Sequence, residues 1–165
     1  MELLIVRHGI AHQRSVRRWP EDGERPLTAH GIARARHAAA GFEHLSAAPT
    51  RVLTSPLRRA QQTAAILTEV ADWPEAALCR ELLPGGSPEA LFALLARLRA
   101  PRTAVVGHQP ELARLLGRCL AANLDAAAFE IRKMGAALVS FPGAPRAGRG
   151  QLKWLVPPRA LRAAR

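Results

Sequence analysis

Short apolar runs alternate with helical patterns along this 165-residue chain, and the alternation limits the folds that it can adopt. The runs at residues 3–6, 51–54 and 103–106 are typical of buried strands, and residues 76–80 are predicted as a further short strand. Strands that alternate with helices predict an α/β protein. We expect a three-layer α/β/α sandwich around a mainly parallel sheet with right-handed crossovers.

The predicted helices have recognisable starts. Three of the predicted helices follow a residue whose side-chain oxygen can cap a helix, and in two of them a proline comes next. These positions are Thr28, Ser55-Pro56 and Ser87-Pro88. The first of these helices is predicted to carry an apolar stripe from Ile32 to Leu45, and a fourth helix starts at Pro110.

The C-terminal part of the chain has a different pattern. Residues 137–141 and 152–156 flank a segment rich in glycine and proline, which predicts an antiparallel hairpin. The length suits one domain, which we place at residues 1–156. Residues 157–165 are predicted to be a basic, frayed tail.

Lysine and arginine total 24 against 13 aspartates and glutamates, a formal net charge of +11. Such an excess attracts phosphorylated, nucleic-acid or acidic protein partners without specifying a fold. Cys79 and Cys119 lack a CxxC spacing, and the first apolar run is too short for a signal or membrane segment. We therefore expect a cytoplasmic protein with no membrane partner.

Candidate catalytic groups follow four of the predicted strands. They are Arg7-His8-Gly9, Ser55 with Arg59, Glu81, and Gly107-His108. Because the carboxyl ends of parallel strands meet at one edge of a sheet, we expect these groups to share a crevice. Guanidinium forks and helix N-termini bind phosphate oxygens, so the set predicts a site that holds a phosphoryl group.

These residues also resemble a known family. Arg7-His8-Gly9 after an N-terminal strand resembles the RHG signature of the histidine phosphatase superfamily, which has a phosphoglycerate mutase-like fold. Residues 55–63, SPLRRAQQT, resemble its S-x-x-x-R-A-x-Q-T block, and residues 107–110 resemble its second-histidine block. Residues 25–31, RPLTAHG, are similar to an element of SixA-type phosphohistidine phosphatases. The blocks come in the family order, and the resemblance extends to about Val156.

The resemblance implies a role for each matched residue. His8 is the nucleophile that becomes phosphorylated, and Arg7, Arg59 and His108 hold the phosphoryl oxygens. Glu81 stands near the place of the superfamily's general acid and base, and its function in this chain depends on the substrate.

Arg25 either binds phosphate at the rim of the crevice or pairs with Glu21 or Glu24. No metal or other cofactor is implied, because the H-x-x-x-H spacing of His8 and His12 falls in a loop, without the glutamate that follows the first histidine in helical zinc motifs.

We therefore predict a monomeric, metal-independent phosphatase that acts on phosphohistidine in another protein. Only a short segment, residues 71–84, separates the second helix from the Gly-Gly turn, and an open site suits a protruding phosphorylated side chain. A phosphatase of small phosphorylated metabolites is an alternative. So is a non-catalytic basic module that binds nucleic acid or polyphosphate, although the arginines are scattered and aromatic residues make up only 4% of the chain. We expect no nucleic-acid partner.

Overall fold

The computed structural model describes residues 1–121 and 129–164, and a six-stranded sheet forms its centre. The strands are β1 Glu2–Arg7, β2 Arg51–Thr54, β3 Ala76–Leu78, β4 Arg102–Gly107, β5 Ala136–Ser140 and β6 Gln151–Val156. Their order across the sheet is β3-β2-β4-β1-β5-β6. The first four are parallel, whereas β5 runs antiparallel to β1 and β6 antiparallel to β5. The predicted mainly parallel sheet with a C-terminal hairpin is confirmed.

Helices cover both faces of the sheet. They are α1 Ala29–Ala40, α2 Phe42–Leu45, α3 Arg58–Ala71, α4 Pro88–Leu98, α5 Glu111–Leu120 and α6 Pro158–Ala163. Leu4 and Val6 of β1 pack toward α1, α3 and α6, whereas Leu3 and Ile5 pack toward α4 and α5. Two apolar cores therefore enclose the sheet, and the three-layer sandwich is confirmed. No helix among the described residues is both long and apolar enough to cross a membrane.

Of the three helices predicted to have a side-chain cap, two have it. Thr28 Oγ1 accepts a hydrogen bond from the Gly31 N–H (2.8 Å), and Ser87 Oγ accepts from the N–H groups of the first turn of α4. Ser55 does not cap α3, because that helix begins at Arg58, whereas Ser55 Oγ bonds to the N–H of Leu57 (3.4 Å) and to His108 Nε2 (2.8 Å). The stripe predicted to run to Leu45 is divided at Gly41, where α1 ends and the short α2 begins.

The C-terminal segment is not frayed over residues 158–163. It forms α6, and Leu161 is fully buried against the core under α1. Gly41 permits this approach, because a Cβ at that position would overlap the carbonyl oxygen of Leu161. The prediction failed because burial of one leucine, which depends on a distant glycine, orders the segment. The third strand is also shorter than predicted, since it ends at Leu78.

Candidate active site

The carboxyl ends of the central strands place two histidines and a serine side by side. The backbone N–H of His8 donates to the carbonyl of Gly107 (3.1 Å), so the residue after β1 extends the ladder to β4. The N–H of Ser55 likewise donates to the carbonyl of Val106 (2.9 Å). These bonds hold the turns after β1, β4 and β2 at the edge of the sheet where open α/β sheets bind ligands.

His8 is buried, and a backbone carbonyl orients its ring. Its Nδ1 lies 2.7 Å from the carbonyl oxygen of Gly9. Because a carbonyl oxygen only accepts, Nδ1 carries the proton and Nε2 keeps its lone pair. Burial lowers the pKa of His8 to about 3, with further contributions from His108 and the two site arginines. The imidazole is therefore neutral near pH 7, and its Nε2 can act as a nucleophile.

His108 faces His8 from the end of β4, with the two ring centroids 5.0 Å apart. Its Nε2 shares a 2.8 Å hydrogen bond with Ser55 Oγ. Its Nδ1 is buried and has no hydrogen-bond partner within residues 1–121 and 129–164. Burial, and after it the charge of Arg59, lowers the pKa of His108 to about 3. When the serine hydroxyl donates to Nε2, Nδ1 carries a proton that it can donate to an oxyanion.

Arg7 and Arg59 are both fixed by backbone carbonyls. Arg7 donates from Nη1 to Ile131 O (2.9 Å), and Arg59 donates from Nη1 to Asp22 O (3.0 Å). The Nε atoms of both arginines are buried and have no hydrogen-bond partner in the described part of the chain. Burial lowers the pKa of each guanidinium, but an arginine side chain remains charged at neutral pH. Each arginine therefore retains a buried, cationic donor for an anion.

Asp22 connects Arg59 to Arg25. Arg25 donates from Nε to Asp22 Oδ1 (2.8 Å) and from Nη2 to Oδ2 (3.3 Å), while Arg59 Nη1 lies 3.3 Å from Oδ2. The hydrogen bonds from Arg25 are the main cause of the lowered pKa of Asp22. Asp22 is therefore ionised at neutral pH and holds the two guanidiniums in fixed positions.

The structure corrects the prediction for Arg25. Its partner is Asp22 and not Glu21 or Glu24, and its Nη1 donates to the carbonyl of His12 (2.7 Å). Three N–H groups of Arg25 thus bond within the protein, and a contact between Arg25 and phosphate stays a prediction. The predicted pairing failed because three acidic residues lie within four positions of Arg25, and only the loop geometry selects one of them.

The charges of this site favour an anion. The charges of Arg59 and Arg7 help to lower the pKa of both imidazoles, and Arg25 adds to this effect at His108, where the carboxylate of Asp22 opposes it. Three buried donors, the Nε atoms of Arg7 and Arg59 and Nδ1 of His108, have no partner in the described part of the chain, and oxyanions accept hydrogen bonds from such groups. Within the described ranges, no three His, Cys, Asp or Glu side chains come together as ligands for a metal ion.

Comparison with known proteins assigns the family. The model of the histidine phosphatase superfamily (branch 1) matches residues 3–82. An uncharacterised protein from Picosynechococcus sp. is 43% identical over 115 residues, which are 68% of each chain. The chain belongs to the histidine phosphatase superfamily. The protein is accordingly a phosphatase, and the alternative of a non-catalytic basic module loses its support.

Solved structures extend this assignment to the whole fold. The protein histidine phosphatase SixA, complexed with tungstate, superposes with a TM-score of 0.84 at 26% identity, covering 98% of this chain and 99% of that one. The α-ribazole phosphatase from Shigella flexneri superposes with a TM-score of 0.72 at 19% identity, covering 94% and 96%. The second likeness concerns the fold alone. This histidine phosphatase is thus of the SixA type, with a phosphoglycerate mutase-like fold.

Two side chains of the 55–63 block connect α3 of this histidine phosphatase to the loop after β1 and to the loop before α1. Thr63 Oγ1 accepts from the N–H of Gly9 (3.0 Å) and donates to the carbonyl of Arg59 (2.7 Å). Gln62 Oε1 accepts from the N–H of Leu27 (2.7 Å). The sequence contained these residues within the recognised block, but the fact that they join α3 to two loops is visible only in the structure.

The 25–31 element packs α1 against the loop after His8. The N–H of Thr28 donates to the carbonyl of Ile10 (2.9 Å), and a Cβ at Gly31 would overlap the same carbonyl oxygen. Glycine is thus required where the helix touches the loop backbone. Asp22, Ser55 and Thr63 are the supporting residues that sequence reasoning missed or placed in another role. The Asp22–Arg25 spacing of three residues was an available signal for the first.

Glu81 is the candidate residue that the structure does not join to the others. It follows β3, and its Oε2 accepts a hydrogen bond from the thiol of Cys79 (3.3 Å). Burial, and after it this hydrogen bond, raises the pKa of Cys79 to about 12, so the thiol keeps its proton. No contact in the described ranges links Glu81 to His8 or His108. The role of Glu81 as general acid and base stays a prediction.

Proposed function

We propose that this phosphatase removes the phosphoryl group from phosphohistidine in a protein, with His8 as the transient carrier. One observation supports it above all. The free Nε2 of a neutral His8 is accompanied by three buried, unpartnered donors, on Arg7, Arg59 and His108. A phosphoryl group would satisfy those donors while its phosphorus meets the nucleophile. The SixA structure holds tungstate, a tetrahedral oxyanion like phosphate.

The reaction has two balanced steps. First, the phosphorylated substrate imidazole takes a proton from solvent, the lone pair of His8 Nε2 forms a bond to phosphorus, and the bond from phosphorus to the substrate nitrogen breaks, so that a neutral imidazole leaves. Second, a water oxygen attacks the phosphorus of phospho-His8, the electron pair of the P–N bond returns to His8 Nε2, and inorganic phosphate leaves and gives a proton back to solvent. Arg7, Arg59 and His108 neutralise the charge on the equatorial oxygens in both steps.

Phosphohistidine is the favoured substrate because neither carboxyl group considered for the site is arranged as a proton donor. Asp22 is ionised because Arg25 lowers its pKa, and Glu81 is bonded to Cys79. Neither is arranged to protonate a leaving group. A phosphorylated imidazole leaves readily once it is protonated by solvent, whereas an alkyl alkoxide requires a positioned acid. The site therefore favours phosphohistidine over alkyl phosphate esters.

A small phosphorylated metabolite is the second candidate substrate. The likeness in fold to α-ribazole phosphatase favours it, because that enzyme shares the same architecture. Measuring kcat/KM on a phosphohistidine protein and on a set of sugar and nucleotide phosphates separates the candidates. Preference for a metabolite would reject the phosphohistidine proposal while retaining His8 catalysis. A cytoplasmic location and a monomeric state stay predictions.

The test of the mechanism is hydrolysis of p-nitrophenyl phosphate in the presence of a chelator. We expect the wild type to retain its activity, His8→Ala to lose it, and His37→Ala, at an exposed histidine of α1, to behave as wild type. Activity that survives in His8→Ala, or that the chelator abolishes, would contradict the proposal.

A further inference from the structure

A cleft of about 380 Å³ lies beside the catalytic loops, between α1, α6 and the segment before β5. Arg7 contributes to its wall, and so does Ile10, two residues after His8. A molecule held in this cleft would therefore adjoin a substrate bound at His8. The mechanism proposed above assigns no role to the other residues of the cleft.

The cleft is strongly cationic. Arg34 of α1, Lys133 and Arg162 of α6 line it, and no ion pair in the described ranges neutralises any of the three. The remaining charged pair of its wall, Arg132 and Glu130, is joined at 3.4 Å. Like charges held together without a counterion repel each other, so an anion entering the cleft would relieve that repulsion.

Of these cations, Arg34 and Arg162 are near enough for the charge of one to lower the pKa of the other. Both are half-buried. Burial, and after it the charge of Arg34, lowers the pKa of Arg162. The two guanidiniums belong to different helices, and the fold brings them together through the burial of Leu161. The pairing is therefore a product of tertiary structure and not of one basic run of sequence.

The rest of the wall is apolar. It includes Ile10, Met134 and Pro158. No aromatic side chain is among the described residues that line the cleft, so nucleic-acid bases have no stacking platform there. A free phosphate ion would use the cations alone. A polypeptide segment with acidic and apolar side chains would use both parts of the wall.

We propose that this cleft binds an acidic segment of the phosphorylated protein whose phosphohistidine reacts with His8. The inference rests on the proposed function and adds the chemistry by which the partner is recognised. Carboxylates next to the phosphohistidine would pair with Arg34 and Arg162, while the phosphoryl group enters the site beyond Arg7. The cleft then supplies selectivity among phosphoproteins that the small, buried phosphoryl site cannot supply.

The test compares two synthetic peptides that share a phosphorylated histidine and an apolar residue. In the first peptide three glutamates stand beside these residues, and in the second peptide three glutamines replace the glutamates. For each enzyme the measured quantity is the ratio of kcat/KM on the glutamate peptide to kcat/KM on the glutamine peptide. We expect the wild type to give a ratio of about five to ten at low salt, and the ratio to fall toward one as salt screens the charges.

The double variant Arg34→Gln/Arg162→Gln removes the two cations, and its ratio should be near one. The control Arg51→Gln/Arg97→Gln removes the same charge from exposed arginines outside the cleft, and it should keep the wild-type ratio. A wild-type ratio near one, or an equal loss in the control, would overturn the docking inference. If the wild type hydrolyses both peptides at equal rates, the docking inference fails but the proposed function stands.

Binding of the unphosphorylated peptides, followed by fluorescence anisotropy, tests the cleft without turnover. We expect the glutamate peptide to bind the wild type more tightly than the double variant by a similar factor. Failure to hydrolyse either peptide would refute the proposed function, whereas loss of the binding difference would refute only the docking. Pyrophosphate that inhibits the wild type more than the double variant, with no peptide preference, would also overturn the proposal, because it would indicate a second phosphate subsite.

Discussion

The ends of the central strands and the end of the edge strand carry candidate catalytic residues in very different surroundings. His8 and His108 follow adjacent strands, and their rings are 5.0 Å apart. Glu81 lies in the turn after the edge strand β3, and the next residue, Leu82, packs beside Gly107 at the end of β4. The central groups share hydrogen bonds with Ser55 and with backbone carbonyls, whereas Glu81 binds a thiol of its own turn. The two regions thus reach the same end of the sheet with separate hydrogen-bond partners.

The largest expected effect concerns a central residue. Replacing Arg59 by lysine retains the charge but removes the planar fork and its buried Nε donor. We expect kcat on p-nitrophenyl phosphate to fall by about 10²- to 10³-fold. The control is Arg58→Lys, at the exposed neighbour in the same turn of α3, which should change kcat by less than about twofold. Equal effects at the two positions would remove the distinction between site and surface.

The buried histidines also make stability depend on pH. Because the pKa of both His8 and His108 is about 3 in the folded protein, only the unfolded chain binds protons there below about pH 6.5. Stability is thus lost as the pH falls from about 6.5 toward 3, by roughly 3 kcal/mol between pH 6.5 and 5 for the pair.

Urea unfolding at these two pH values in phosphate-free buffer measures this loss. His108→Gln should reduce it by about half, whereas His37→Gln, at an exposed position, should leave it unchanged. A pH dependence that is the same in wild type and His108→Gln would show that the central histidine is not a buried neutral group.

A smaller effect is expected behind the central site. Asp22→Asn removes the carboxylate that holds Arg59 and Arg25, so Arg59 loses part of its fixed orientation. We expect kcat/KM to fall about tenfold. The matched control is Glu24→Gln, because Glu24 lies in the same short 3₁₀ helix, Asp22–Glu24, and its exposed carboxylate lies 3.9 Å from Arg58. Activity unchanged in Asp22→Asn would mean that the backbone carbonyl alone positions Arg59.

The smallest effect is expected at the edge strand. Glu81→Gln removes a carboxylate that contacts Cys79 and none of the central groups, so kcat should change by less than about threefold. The pH–rate profile should keep its shape. A loss of about 10²-fold, together with the disappearance of one limb of the profile, would identify Glu81 as an acid or base and erase the contrast between the two regions.

Much of the fold and the centre of the site could be predicted from the sequence. The alternation of strands and helices is a local pattern, and the arginine and histidine blocks lie directly after strands, so topology alone brings them to one edge. His8, Arg7, Arg59 and His108 are together for that reason. The prediction failed for side chains that could form hydrogen bonds with several neighbouring residues, because the sequence does not show which neighbour the fold brings within reach.

Two identical dipeptides illustrate that limit. Ser87-Pro88 caps α4 as predicted, whereas α3 begins only at Arg58, and Ser55 Oγ bonds to the N–H of Leu57 before that helix and to His108 Nε2 across the sheet edge. The local signals are the same, and only the tertiary neighbour differs. The ordered α6 has the same explanation, since it depends on contact between Leu161 and the distant Gly41.

The most direct test of the account is to trap the phosphorylated enzyme. The protein is mixed with p-nitrophenyl phosphate, quenched in alkali within one turnover, and analysed by peptide mass spectrometry. We expect a phosphoryl group on the peptide that contains His8, stable in alkali, lost in acid, and missing from His8→Asn. Turnover without any adduct, or an adduct on another residue, would contradict the claim that His8 carries the phosphoryl group.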